Sequence, residues 1–359
     1  MINIKKATAN YEAWLGARTV LVEQDLAEKH KLMASGAFPF LRGTFYRWAQ
    51  VWPDVCKDLA KAPTVLAVGD LHVENFGTWR DTEGRLAWGV NDFDEAYPMA
   101  YANDLVRLAV SAHLAIAADH LHMTDAEACE AILAGYTDGL KAGGGAFVLA
   151  EDHAWLRQIA EGARVDPKTF WDKMDALPTV KDGVPASAQE AMESLLPDEE
   201  LEYKAARRTA GIGSLGHERY VARASWCGGH VAREAKALTP SSVVWARGDS
   251  GPIEVFYQAL VTRAKRACDP YVQLRGQWIV RRLAPDCARI ELSSLPQASD
   301  EARLLHAMGW ETANIHLGSK EAIKAVRADL KARPGKWLAS ATAAMTEAVQ
   351  QDFQEWAKK

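Results

Sequence analysis

Cysteine is scarce and scattered in this chain: Cys56, Cys129, Cys227, Cys268 and Cys287 form no CxxC pair. That spacing excludes a zinc ribbon and a thioredoxin-like site, and a sparse, odd count fits a reducing compartment better than a disulfide scaffold. No apolar run approaches membrane-spanning length, and the stretch Met1 to Trp14 lacks the apolar core of a signal peptide. The expectation is a cytoplasmic protein with no membrane partner. Positive charge is not in excess either. A formal charge of -5 argues against a general nucleic-acid binder, which needs a basic surface to displace counterions. Internal repeats and low-complexity tracts are also missing. What remains is ordinary globular composition, with 48% hydrophobic and 25% charged residues. At 359 residues the chain exceeds what one compact core usually supports, so two lobes are expected.

The first two hundred residues read as mainly helical. Thr8 to Leu32 carries Leu15, Val22 and Leu26 among many charges and predicts one amphipathic helix. Asn103 to His120 places Leu105, Leu108, Ala109, Ala112 and Ile116 on one helix face. Thr124 followed by Glu127 predicts a capping box that opens a helix to about Leu140. Lys181 to Ala186, KDGVPA, predicts a loop. Near residue 202 the pattern changes. Glu218 to Ala224 and His230 to Leu238 predict strands joined by a turn at Cys227-Gly228-Gly229. Gln277 to Leu283 and Arg289 to Leu292 predict further strands, broken at Pro285-Asp286, and Ile253 to Ala267 predicts a helix. From Asp300 the pattern is helical again, with a break at Pro334-Gly335. The reading is an α+β chain in three parts: a helical lobe over 1–200, a β-rich unit over 201–300 and C-terminal helices over 301–359.

Chemistry concentrates in two places. The first runs from Gly69 to Asp94. Asp70 and Asn75 stand in the D-x-x-x-x-N spacing of a kinase catalytic loop. That spacing lets the carboxylate accept a hydroxyl proton while the amide oxygen, a short turn away, holds a metal on nucleotide phosphates. Asp92-Phe93-Asp94 follows a predicted hairpin, Phe76 to Trp79 and Arg85 to Val90, and supplies a second hard oxygen ligand of the kind magnesium takes. Singly, these are common turn residues; in this order, on a strand-loop-hairpin-loop frame, they read as a site. GDLH also contains the D-x-H of two-metal phosphoesterases, but no accompanying GNH segment occurs, so His72 reads as a packed loop histidine.

The second place is Gly211-Ile212-Gly213-Ser214-Leu215-Gly216, a G-x-G-x-x-G match. A dinucleotide fingerprint would need an apolar strand before it and a helix after it. Here Lys204 to Ala210 precedes it and a strand follows, the layout of a glycine loop between antiparallel strands. The alternative is a plain flexible hairpin. On the next strand Arg233 and Lys236 lie on opposite faces, so at most one faces a nucleotide. Glu254 is a carboxylate partner for that cation on position alone.

GDLHVEN and NDFD resemble the catalytic and metal loops of the aminoglycoside phosphotransferase and protein-kinase-like superfamily. More closely, the chain resembles the bacterial "domain of unknown function 2252" family through Phe38 to Gly43, GDLHVENFG, NDFDEAYP, Asp104 to Leu108, GIGSLG, and Lys236 before Pro240-Ser241, over roughly residues 30 to 320. The lysine placed before a Pro-Ser pair selects Lys236 over Arg233. The resemblance implies a two-lobed kinase-like fold, circularly permuted, because the glycine loop follows the catalytic loop. Trp310 to Leu317 would then be the helix leading into that loop. Val68 departs from related sequences, which often carry His before Gly-Asp.

The function implied is phosphotransfer from magnesium-ATP to an unidentified hydroxyl acceptor, small molecule or protein. Asp70 would act on the acceptor, Asn75 and Asp92 would hold Mg2+, and Gly211, Gly213, Ser214, Gly216 and Lys236 would bind the nucleotide. Asp94 would assist at the metal. Arg42 would bind an oxyanion or anchor the N-terminal segment, and Asp104 would brace the loop. AMP transfer on the same fold and a nucleotide-binding pseudokinase acting through a partner are the alternatives.

Overall fold

The computed structural model describes residues 2–358 apart from 150, 163, 181, 182, 252, 288 and 291–300. Four helices open the chain: α1 (Ile4–Gly16), α2 (Glu23–Ala34), α3 (Ala37–Gly43) and α4 (Phe45–Val55). Strand β1 (Thr64–Ala67) leads into the Asp70 loop and then the hairpin β2 (Phe76–Arg80) and β3 (Leu86–Val90). β4 (Tyr97–Ala100) returns to pair antiparallel with β1, which brings the Asp70 and Asp92 loops side by side. Helices α5 (Ala102–Ala117) and α6 (Asp125–Ala142) follow, and β5 (Phe147–Val148) adds to β3.

Three short helices, α7 (Ala154–Gly162), α8 (Pro167–Asp175) and α9 (Ala186–Glu193), lead to an antiparallel sheet of five strands. These are β6 (Lys204–Arg207), β7 (Arg219–Trp226), β8 (Gly229–Ala237), β9 (Gln273–Arg275) and β10 (Trp278–Arg282), in the order β6-β7-β8-β10-β9. Between β8 and β9 lie α10 (Ser242–Ala246) and α11 (Tyr257–Arg263), and the chain closes with α12 (Glu301–His316), α13 (Ile323–Ala332) and α14 (Trp337–Ala357). The class is α+β.

Local chemistry accounts for several of these elements. The Thr124 side chain accepts from Glu127 N–H while Glu127 reaches back, so the capping box opens α6. Cys227 at φ 48° and Gly228 at φ 80° make the two-residue turn whose twist suits the β7–β8 hairpin. The β2–β3 hairpin turns at Asp81, which accepts from Gly84 N–H at 3.0 Å. Helices α6 and α12 pack with their backbones in contact. A Cβ on Gly135 would stand 1.8 Å from the His306 carbonyl oxygen, and one on Gly309 2.1 Å from that of Ile132.

Other expectations are corrected. Thr8 to Leu32 is two helices, not one. Leu21 bridges to His217, and Val22 N–H donates to the Gly216 carbonyl at 2.9 Å, so pairing with the glycine-rich segment outweighs the local period. The helix over Ile253 to Ala267 shrinks to α11, because Lys265 N–H turns away to the Asn314 carbonyl at 2.9 Å. Where the strand over Arg289 to Leu292 is expected, Arg289 bridges to Gly77 and Ile290 N–H donates to the Phe76 carbonyl at 3.2 Å. The rest of that expected strand, 291–292, lies outside the described residues, as do 181–182 of the expected loop. The C-terminal stretch is broken at 317–322 as well as near Pro334.

The five-stranded sheet buries one face against α9, where Ala188, Ala191 and Met192 meet Tyr220, Ala235, Trp278 and Val280. Arg223 on β7 donates to the Met174 carbonyl in α8. Both helices thus pack against the sheet.

Candidate active site

The Asp70 loop is held from below by α5. Val68 N–H donates to Asp104 Oδ2 at 2.7 Å and Gly69 N–H to Oδ1 at 3.0 Å. His316 Nε2 lies 3.0 Å from Asp104 Oδ2, and since a carboxylate only accepts, that nitrogen carries the proton. Its Nδ1 lies 2.9 Å from the Tyr136 hydroxyl. Gly69 is required by its φ of 82° and because a Cβ would come within 2.4 Å of the Glu95 carbonyl oxygen.

One turn along α5, Arg107 donates from Nε (2.9 Å) and Nη2 (2.5 Å) to Asp70 Oδ1. Arg107 is fully buried, its Nη2 also reaches the Leu41 carbonyl, and its guanidinium sits 4.9 Å from both the Phe45 and Trp48 rings. The arginine fixes one carboxylate oxygen and leaves Oδ2 toward the glycine-rich loop. Burial pushes the Asp70 carboxyl up, and the Arg107 charge pulls it part of the way back. Sequence reading did not assign Arg107 a role; its only signal was membership of the Asp104 to Leu108 segment.

Asn75 ties the two loops together. Its Nδ2 donates to the Asp70 carbonyl at 3.1 Å and the Asp92 carbonyl at 3.2 Å, which leaves Oδ1 free to act as a ligand. Lys236, buried on β8, places Nζ 3.5 Å from Asp92 Oδ1 and pairs directly with Asp94. Asp92 is half-buried, and Lys236 and Arg281 hold its carboxyl far below the usual range. Burial and the Asp92 charge push Asp94 up to about 7. Arg233 points elsewhere, donating to the Leu195 carbonyl and lying over the Tyr271 ring. Glu254 is exposed in an irregular segment, and Lys236 takes its carboxylates from the Asp92 loop instead.

The segment Gly211 to Gly216 joins antiparallel β6 and β7, with a single 3₁₀ turn over Ile212–Ser214. Gly213 faces Asp70: a Cβ there would lie 3.5 Å from Asp70 Oδ2 and 3.3 Å from the Arg42 carbonyl oxygen. Gly216, at φ 102°, packs where a Cβ would meet the Leu26 side chain at 2.5 Å. Lys29 of α2 is buried and donates to the Gly213 carbonyl at 3.3 Å. Ser214 Oγ accepts from Arg219 at 2.6 Å. Arg42 pairs with Glu74, but its Nε is buried without a partner. His72 is buried edge-on to Phe38, as a packed loop histidine would be.

Among the described residues, no group of three or more His, Cys, Asp or Glu side chains is placed to hold a metal ion. The oxygens of Asn75, Asp92 and Asp94 nevertheless suit a hard cation. Asp94 Oδ1 is buried with no hydrogen-bond partner, as expected of an atom waiting for a positive charge. Two cavities meet here and share Asp92, Gly211, Ser214 and Arg289. The smaller, ≈ 70 Å³, is lined by Lys29, Arg42, Asp70, Asn75 and Asp94. The larger, ≈ 310 Å³, runs between the β2–β3 hairpin and the five-stranded sheet, past Trp79, Phe93 and Tyr257.

No helix among the described residues is long and apolar enough to cross a membrane. No curated protein and no solved structure matches the chain. A family model described as "uncharacterized protein conserved in bacteria", the domain of unknown function 2252, matches residues 21–169. That match takes in Asp70, Asn75, Asp92, Asp104 and Arg107 and stops short of the glycine-rich segment and Lys236.

Proposed function

We propose that the chain is an ATP- and magnesium-dependent phosphotransferase acting on a hydroxyl acceptor, built as a permuted protein-kinase-like fold. One observation carries the reading. Two groups of residues more than a hundred positions apart meet at one cleft, with Lys236 Nζ 3.5 Å from Asp92 Oδ1 and Gly213 facing Asp70. A set of turn residues has no reason to converge in this way.

In this reading Asp70 Oδ2 accepts the acceptor's proton as its oxygen bonds to the γ-phosphorus and the bond to the β-phosphate oxygen breaks. Arg107 keeps Oδ1 engaged, so the carboxylate presents one oxygen in one orientation. Asn75, Asp92 and Asp94 would hold magnesium, which supplies charge neutralisation on the phosphate oxygens. Lys236 would exchange a carboxylate for a phosphate oxygen, and the glycines let the backbone approach the phosphates closely.

Incubation with ATP labelled at the γ- or α-phosphorus tests this. The expected result is γ-label on an added acceptor or on the protein, lost in Asp70→Asn. Transfer of α-label would mean nucleotidyl transfer instead. Absence of transfer of either label, with intact nucleotide binding, would favour a pseudokinase.

A further inference from the structure

Six arginines line the larger cavity: Arg208, Arg219, Arg266, Arg281, Arg282 and Arg289. The carboxylates around it are fewer. Asp92 and Asp269 are on the wall. Glu234 serves Arg208, Arg219 and Arg281 together, and Glu311 pairs with Arg266. Asp92 is already shared with Lys236. Asp94, Asp286 and Glu74 act on Arg281, Arg282 and Arg289 from further away.

Of the six, Arg282 and Arg289 are the two that form no ion pair among the described residues, whereas Arg208, Arg219, Arg266 and Arg281 each do. Arg282 is held over the Tyr271 ring at 4.7 Å, and its Nε and Nη2 atoms are buried with no hydrogen-bond partner. Buried donors left unmade are costly, and a planar fork of N–H groups is the geometry that carboxylates and phosphates fit. Arg289 lies on the wall shared by both cavities, between the arginine-lined space and Asp70. Burial and the nearby Arg42 charge push it down to about 10, with Asp92 and Glu74 opposing them only in part. A purely apolar base would leave all of these donors unused.

We infer that the larger cavity seats an oxyanion of the bound ligand, a phosphate or carboxylate group gripped by Arg282 and Arg289. This rests on the reading of the cleft as a nucleotide site. The group is either part of the nucleotide's own polyphosphate or an acidic group carried by the acceptor. In the first case the nucleotide enters phosphate-first.

Calorimetric titration of the full chain with magnesium tripolyphosphate, adenosine and magnesium-ATP tests the inference. The expected result is saturable tripolyphosphate binding, weakened at least tenfold in Arg282→Gln and in Arg289→Gln, with adenosine affinity unchanged. Arg282→Lys, which keeps the charge but not the fork, should fall between. A parallel loss of ATP affinity assigns the oxyanion to the nucleotide; unchanged ATP affinity assigns it to the acceptor. No tripolyphosphate binding, or binding unaltered in both glutamine variants, overturns the inference while leaving the phosphotransferase reading intact if ATP binds. Arg282-dependent tripolyphosphate binding without ATP binding would overturn that reading and keep the inference.

Discussion

Asp104 and Arg107, one turn apart on α5, set the conformation of the Asp70 loop by different means. Asp104 satisfies two backbone N–H groups that burial would otherwise strand, and Arg107 neutralises the Asp70 carboxylate. Removing one partner of a buried pair leaves the other charge without compensation. Arg107→Ala is therefore expected to lower stability by roughly 3–5 kcal/mol in urea denaturation. Asp70→Asn, which keeps an oxygen for Arg107 but removes its counter-charge, should lower stability by less than Arg107→Ala, leave ATP affinity largely intact and abolish turnover, which binding and transfer assays together can read. The histidines of the cleft predict a pH dependence. Burial, with Arg42, Arg289 and Arg107 nearby, holds His72 well below its ordinary value, and burial with Lys29 pushes His217 down to about 3. The unfolded chain takes up these protons as pH falls through about 6.5 and the folded chain does not. The histidine contribution should thus fall as pH drops below about 6.5, by up to about 1.4 kcal/mol per unit for each histidine, while Asp94, raised to about 7, contributes in the opposite sense over the same window. The difference in urea midpoint between the protein and His72→Asn, taken at about pH 7.5 and 5, isolates the His72 part, and it should shrink or reverse in favour of the variant at the lower pH.

Elements whose signals are local were legible in the sequence. The capping box of α6, the tight turn between β7 and β8 and the β2–β3 hairpin all depend on residues within a few positions of one another. Thr124→Ala should accordingly cost about 1 kcal/mol in thermal or urea unfolding. Elements shaped by distant contacts were not legible. The break between α1 and α2 follows from Leu21 and Val22 pairing with the glycine-rich segment, nearly two hundred residues later. The truncation of α11 follows from Lys265 binding the Asn314 carbonyl. The α6–α12 contact belongs to the same class, since nothing around Gly135 announces His306 as its neighbour. Gly135→Ala should drive a methyl into that carbonyl and destabilise by at least about 1–3 kcal/mol, the ordinary cost of overpacking.

For the whole molecule, the sequence made each half of the candidate site readable but left their meeting unspecified. Asp70, Asn75 and Asp92 share one short stretch, and GIGSLG carries its own pattern. That Gly213 faces Asp70, and that Lys236 finds its carboxylates at Asp92 and Asp94 rather than at Glu254, depends on how the five-stranded sheet sits against the β2–β3 hairpin. Arg107 and the arginines of the larger cavity escaped sequence reading for the same reason, being drawn together from separate elements. The central claim is that these parts form one nucleotide site. Titration of magnesium-ATP into the full chain, followed by calorimetry and melting shift, tests it most directly. The account predicts saturable binding that survives Asp70→Asn and is strongly weakened by Asp92→Ala and by Lys236→Ala in folded protein. Absence of binding, or binding indifferent to both of those substitutions, would contradict it.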